Sequence, residues 1–115
     1  PTTAQMFEHM TNLIQTHTSP TDIVMSDRPQ PIAWYGNRTA IHLPYAIEDV
    51  QIIGDRCLPI KAILLTEELP ERYRYAPQWQ HIYTEGTPLP GFNLEEPHFK
   101  GPHKILLYLR NEQGR

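Results

Sequence analysis

Two short polar stretches follow apolar, β-strand-like segments of the chain and could form a ligand site. The stretch "SDR" (26–28) comes after "DIVM", and "TEE" (66–68) comes after "KAILL". In an open parallel sheet, ligands bind outside the carboxyl ends of the strands, where the winding direction reverses. We therefore predict a crevice between residues 26–28 and 66–68, with these candidate ligand-binding residues: Ser26, Asp27, Arg28, Thr66 and Glu67.

The predicted crevice lacks the features of a phosphate or dinucleotide site. Pro29 and Pro31 each remove a backbone N–H from the start of the following helix, where an anion would bind. Asp27 would repel an anion, and no glycine-rich loop follows the strand. We interpret Asp27 as the N-cap of that helix rather than as a catalytic acid. The sequence therefore predicts no catalytic residue and no cofactor.

The other titratable residues match no common metal or catalytic pattern. His98 and His103 are loosely spaced in a Pro/Gly loop and do not form a helical metal pair. The neighbouring glutamates at 67–68 and 95–96 would point to opposite sides of an extended chain. The single cysteine, Cys57, excludes an internal disulfide framework and a cysteine-based zinc cluster. We expect no metal and no disulfide-linked partner.

Aromatic residues form two groups that could either bind flat ligands or cover the sheet. Tyr73, Tyr75 and Trp79 are interleaved with arginines and could stack on sugar rings or bases, but a cover over the sheet edge is favoured. Trp34 and Tyr35 lie on a predicted short helix that Gly36 ends. Neighbouring residues on a helix point about 100° apart. We therefore expect one of these two rings over the core and the other at its margin.

Length and composition limit the classes of protein to consider. The 115 residues predict one domain, residues 1–115, with one modest core. The formal net charge of -3 gives no basic footprint for nucleic acid. No apolar run approaches the roughly 18 residues that a membrane span needs. Because the chain starts at Pro1, we expect it to be a fragment of a longer protein.

Alternating helix-like and strand-like segments indicate an α/β fold. Residues 4–17 have apolar residues at helical spacing, and Thr2 with Gln5 resembles a capping box. The strands "IVM" and "AILL" are apolar on both faces and should be central, whereas "TAIHLP" alternates and should be an edge. We predict a small three-layer, Rossmann-like domain with parallel strands in the order 2-1-3. A C-terminal antiparallel hairpin, "GFNLEE" and "KILLYLR" around Gly101-Pro102, completes a mixed sheet.

Part of this pattern resembles a known family. The matching features are a strand ending in Ser-Asp, then a proline, "AWYGNRTAIHLP" (33–44), an acidic helix, "LPIKAILLT" (58–66) and the closing "GFNLEEPHFKGPHKILLYLR". Over roughly residues 10–110 they resemble the soluble C-terminal region of bacterial polytopic membrane glycosyltransferases. These are the GT-C type enzymes of the dolichyl-phosphate-mannose protein mannosyltransferase and aminoarabinose transferase group.

The resemblance implies a non-catalytic tail domain on the extracytoplasmic, periplasmic face of a bacterial inner membrane. Catalysis in that family belongs to a membrane body that uses a polyprenyl-phosphate sugar donor. The implied partners are the membrane body of the same chain and a glycan or lipid-linked sugar acceptor. The tail would assist acceptor approach, folding or partner contact. The alternative from the residues alone is a stand-alone small-ligand binding module that uses the predicted crevice.

Overall fold

The computed structural model describes residues 2–95 and 104–111, which form one mixed sheet with helices on both faces. Among these residues, no helix is long and apolar enough to cross a bilayer. The elements in chain order are α1 Thr3–His17, β1 Ile23–Ser26, α2 Pro29–Gly36, β2 Thr39–His42, α3 Glu48–Arg56, β3 Ile60–Leu65, α4 Leu69–Arg72, α5 Pro77–Glu85, β4 Phe92–Leu94 and β5 Leu106–Arg110.

The strand order confirms the predicted α/β fold. The sheet runs β2-β1-β3-β5-β4, with β2, β1 and β3 parallel. Strand β5 is antiparallel to both β3 and β4, so the C-terminal hairpin extends the sheet beyond β3. The alternating strand β2 is an edge, as its pattern predicted. The predicted hairpin loop around Gly101-Pro102 lies outside the described residues.

The direction of the crossovers explains the three layers. The connection from β1 to β2 moves one way along the sheet, and the connection from β2 to β3 passes back across β1. Right-handed crossovers in opposite directions place their helices on opposite faces. Accordingly, α1 and α2 cover one face with a core that includes Ile14, Val24 and Leu64. The remaining helices cover the other face with a core around Ile63 and Trp79.

Helix α1 begins at the predicted capping box. The Thr2 hydroxyl accepts from the Gln5 N–H at 3.1 Å, and the Gln5 side chain accepts from the Thr2 N–H at 2.8 Å. Of the five apolar residues at helical spacing, Met6, Met10, Leu13 and Ile14 are buried, whereas Phe7 is half-buried. The predicted core face of α1 is confirmed.

Helix α2 ends one residue later than the sequence predicted. Gly36 is the last helical residue, and Asn37 adopts the left-handed conformation at φ 54° and ψ 49°. Asparagine tolerates this region because its short side chain is polar and compact. The freed Gly36 carbonyl accepts from the side chains of Gln15, at 3.1 Å, and Arg38, at 3.3 Å. The prediction that Gly36 ends the helix is wrong by one position.

The expectation that α2 would bury one of its two large rings is also wrong. Trp34 is 82% exposed and Tyr35 is 61% exposed. The residues of α2 that face the core are Pro29, Ile32 and Gly36, at spacings of three and four. This stripe leaves positions 34 and 35 on the outer surface of the helix.

Four buried aromatic side chains hold loops by donating to backbone carbonyls, and we call these contacts the loop-carbonyl anchors. Burial raises the pKa of Tyr73 and of Tyr108 to about 12, so both phenols keep the proton they donate. The interpretation of these aromatic residues as a cover over the sheet edge is confirmed for Tyr73 and Trp79, which are buried beside the end of β2, and is wrong for Tyr75, which is exposed. The anchors are Tyr73 to Leu43 at 2.6 Å, and Trp79 to Pro44, Tyr83 to Lys104 and Tyr108 to Thr87, each at 2.7 Å.

Replacing Tyr73 by Phe should therefore destabilise the fold. The Leu43 carbonyl would lose its buried donor, which costs about 1–3 kcal/mol in the free energy of unfolding. The matched control is Tyr75→Phe, which should change that free energy by less than about 0.5 kcal/mol because the side chain is exposed. Urea denaturation measures both changes, and equal stability of the two variants would contradict the anchor.

Candidate ligand-binding crevice

A buried carboxylate joins the carboxyl ends of β1 and β3. One oxygen of Asp27 accepts from the Thr66 backbone N–H at 2.9 Å, and the other accepts from the Thr66 hydroxyl at 2.7 Å. Asp27 is inaccessible to solvent, and Thr66 is nearly so. Because both oxygens are held by one residue of the neighbouring strand end, this pair fixes the two ends relative to each other.

Asp27 is not the N-cap of α2, so this prediction is wrong. The cap position is Arg28, which has no side-chain capping bond. Ser26 instead supplies local support, since its hydroxyl accepts from the Arg28 N–H at 3.0 Å. The prolines at 29 and 31 explain the difference. Each removes one of the N–H groups that a cap would satisfy, which leaves Asp27 free to bind across the sheet.

Burial raises the pKa of the Asp27 carboxyl to about 6. The hydrogen bonds from Thr66 and the nearby charge of Arg28 act in the opposite direction but do not offset the loss of water. The carboxyl therefore changes protonation in a mildly acidic range, well above the ordinary value of 3.8.

Charged side chains around this pair form a connected network. Glu68 accepts from Arg28 at 3.1 Å through one oxygen and from Arg72 at 2.9 Å through the other. The Arg28 guanidinium also lies over the Phe7 ring, 5.0 Å from its centroid. One carboxylate thus orients two arginines, and an aromatic ring of α1 supports one of them.

A cavity of about 280 Å³ opens at these strand ends. Helix α1 provides a largely apolar wall, and the segments that follow β1 and β3 provide a polar one. The lining residues are Thr3, Met6, Phe7, Met10, Arg28, Thr66, Glu67 and Glu68.

The structure brings all five predicted site residues to the ends of β1 and β3. Arg28, Thr66 and Glu67 line the cavity, whereas Ser26 and Asp27 are fully buried beneath its polar wall. The sequence did not indicate the α1 wall. The spacing of Met6 and Met10 predicts only that they face inward. Whether they lie beside the ends of β1 and β3 depends on the position of α1 on the sheet, which the sequence pattern does not give.

The described residues do not form a cluster of metal ligands. Within residues 2–95 and 104–111, no three side chains of His, Cys, Asp or Glu are grouped to hold an ion. The candidate histidines His98 and His103 lie outside this part of the chain.

Comparison with known proteins identifies no relative. No protein-family model matches the chain, and neither a curated protein nor a solved structure is significantly similar to it. The geometry of the crevice is therefore the basis for inferring what the protein does.

The pKa of Asp27 predicts a specific pH dependence of stability, measured against Asp27→Asn. A folded-state pKa of about 6, above the ordinary 3.8, means that folding favours the protonated carboxyl. The stability that the protonated Asp27 carboxyl contributes is fully present below about pH 3.8 and is lost as the pH rises through about 6. The difference between the two values corresponds to about 3 kcal/mol.

Urea denaturation at a series of pH values checks this expectation. Asp27→Asn does not titrate at this position, and the other carboxyl groups cancel when the two proteins are compared. The free energy of unfolding of the wild type minus that of the variant should fall between pH 3.8 and about 6 and then level off. A difference that rises with pH would mean that folding favours the charged carboxylate, contrary to this assignment.

Proposed function

We propose that this chain is a binding module whose crevice takes a small, neutral, polyhydroxylated ligand of the size of a single sugar unit. The observation that carries this proposal is the cavity at the ends of β1 and β3. The crossovers that leave these two strands lead to opposite faces of the sheet, the arrangement that commonly places ligands in α/β folds.

The size and the two walls of the cavity support a small amphipathic ligand. A volume of about 280 Å³ lies at the lower limit of typical ligand pockets, roughly 300–1,000 Å³. Met6 and Phe7 offer apolar contact on one side, whereas Thr66 and Glu68 offer polar groups on the other. A sugar ring matches this arrangement because it has C–H faces and a rim of hydroxyl groups.

The charges around the cavity favour a neutral ligand. The positive charge of Arg28 is shared with Glu68, and the buried Asp27 lies beneath the same wall. An anion would face these carboxylates at the start of α2, where the prolines at 29 and 31 remove two of the N–H groups that could bind it. Both oxygens of Glu68 already accept from arginines, which disfavours an added cation.

The position of Asp27 supports binding rather than catalysis. Its carboxyl is inaccessible and lies behind Thr66. The Thr66 hydroxyl donates to Asp27 at 2.7 Å and accepts from the Glu68 N–H at 3.2 Å. The hydroxyl is thereby a fixed part of the cavity wall, and Asp27 is a positioning residue behind it.

Titration with neutral monosaccharides, followed by amide NMR, tests this proposal. With methyl mannoside, methyl glucoside and N-acetylglucosamine as probes, we expect shifts at Thr66, Glu67, Glu68 and Phe7. The small contact area indicates dissociation constants on the order of 1 mM. Shifts with inorganic phosphate or sugar phosphates, but with none of the neutral sugars, would overturn the neutral-ligand assignment.

Two matched variants on one helix locate the binding site. Thr3→Trp places a bulky ring at the cavity and should abolish the shifts, because Thr3 lines it. Thr16→Trp makes the same chemical change at an exposed position of α1 that is not part of the cavity lining, and should leave binding unchanged. Equal binding by the two variants would exclude the crevice.

A second candidate function is the extracytoplasmic tail domain of a membrane glycosyltransferase that uses a polyprenyl-phosphate sugar donor. The segment "AWYGNRTAIHLP" carries the resemblance, and Trp34 and Tyr35 within it are exposed and available for contact. In this role the crevice would assist acceptor approach, and the membrane body of the same chain would be a partner. Transfer itself would belong to that membrane body.

The tail-domain role predicts a particular parent protein and an inactive isolated domain. The reading frame upstream of Pro1 should encode several apolar segments of about 20 residues. The purified chain should show no transfer from a polyprenyl-phosphate sugar beyond that of a boiled sample. A start codon directly before Pro1, or turnover by the purified chain, would contradict this role.

A further inference from the structure

We propose that an exposed aromatic surface beside the crevice binds the next sugar units of a longer neutral saccharide. This surface, the aromatic platform, consists of the exposed Trp34 and Tyr35, the half-buried Phe7 and the adjoining Pro31. The inference rests on the proposed function of the crevice and adds a second subsite, with an oligosaccharide as the ligand.

The platform is continuous with the crevice. Phe7 and Arg28 line both the crevice and a groove of about 370 Å³ that contains Trp34, Tyr35 and Arg72. The crevice and the groove therefore adjoin at Phe7 and Arg28. These two residues are shared by the two parts of the surface, and Phe7 would contact a ligand that spans both.

The rings of the platform are held as an ordered surface. The Phe7 and Tyr35 rings are stacked, with centroids 6.0 Å apart and an interplanar angle of 24°. The Arg28 guanidinium also lies over the Phe7 ring, 5.0 Å from the ring centroid. Trp34 is next to Tyr35 on α2 and presents 82% of its surface to solvent.

Folding does not account for this exposure. The core-facing residues of α2 are Pro29, Ile32 and Gly36, so neither Trp34 nor Tyr35 is needed to seal the sheet. Single exposed apolar residues are common in soluble proteins, but clustered ones usually mark interaction surfaces. Three aromatic residues from two helices meet here, at the mouth of a cavity.

Charge complementarity selects a neutral saccharide as the occupant. The arginines nearest the platform, Arg28 and Arg72, both donate to Glu68, and a second carboxylate, Glu67, lines the adjoining crevice, so two positive charges are matched by two negative ones. An anionic lipid surface would require free cationic groups in this position. A saccharide instead offers flat C–H faces to the rings and hydroxyl groups to the rim.

The two tryptophans allow a direct test by fluorescence quenching. Trp79 is fully buried, so acrylamide quenching of this protein reports mainly on Trp34. The probes are linear neutral tetrasaccharides, namely mannotetraose, cellotetraose and maltotetraose, compared with their monosaccharide units. We expect at least one tetrasaccharide to protect Trp34 from acrylamide and to bind about tenfold more tightly than its monosaccharide, from one additional stacked ring.

Variants on the exposed surface separate stacking from stability. Trp34→Ala should return the tetrasaccharide affinity to that of the monosaccharide, whereas Trp34→Phe should retain most of the gain because it keeps a ring. Tyr75→Ala, an exposed aromatic outside the groove, should leave the affinity unchanged.

The outcomes distinguish failure of the platform from failure of the crevice. If monosaccharides shift the Thr66 and Glu68 amides but tetrasaccharides bind no more tightly and leave Trp34 quenchable, the platform is overturned and the crevice remains. If no sugar affects either signal, both proposals fail. Protection of Trp34 by anionic vesicles or by increased protein concentration, without any effect of tetrasaccharides, would assign the surface to a membrane or to self-association.

Discussion

The hydrogen bonds between Asp27 and Thr66 are the constraint on which the crevice depends. Parallel strands alone do not determine how closely the segments beyond their ends approach each other. Here one carboxylate accepts both donors of Thr66, so the ends of β1 and β3 stay together although one leads to α2 and the other to α4. Burial of the carboxylate is costly. The cost falls where the crossovers that leave β1 and β3 diverge, and the Asp27–Thr66 pair supports the polar wall of the cavity there.

Above this buried pair, charge and exposure are arranged in layers. Glu68 satisfies Arg28 and Arg72 at the rim, and Arg28 in turn lies over Phe7. The aromatic platform continues outward from Phe7, so surfaces of different polarity meet along a short path. The polarity therefore changes from the buried carboxylate of Asp27, through the ion pairs of Glu68, to exposed aromatic rings. A neutral ligand with both hydroxyl groups and flat apolar faces matches this change in polarity.

Local sequence patterns were sufficient for the architecture but not for the environment of individual side chains. The period of the apolar residues predicted the central strands, the edge strand and the position of the crevice. It did not predict the partner of Asp27, because Thr66 is 39 residues away and a cap is the commonest local use of an aspartate before a helix. The exposure of Trp34 was missed for a related reason. Pro29, Ile32 and Gly36 already form the inward stripe of α2, so the hydrophobicity of Trp34 did not indicate which side of the helix it lies on.

The loop-carbonyl anchors allow the loops of this fold to change in sequence. Each anchor needs a particular aromatic donor, but its acceptor is a main-chain oxygen that every residue type carries. Substitutions at the loop positions therefore leave these attachments intact, provided that the backbone keeps its path. Homologues can diverge widely in their loops while retaining the same framework. Ancestry in such a lineage would be traced more readily from a few spaced aromatic positions than from overall sequence identity.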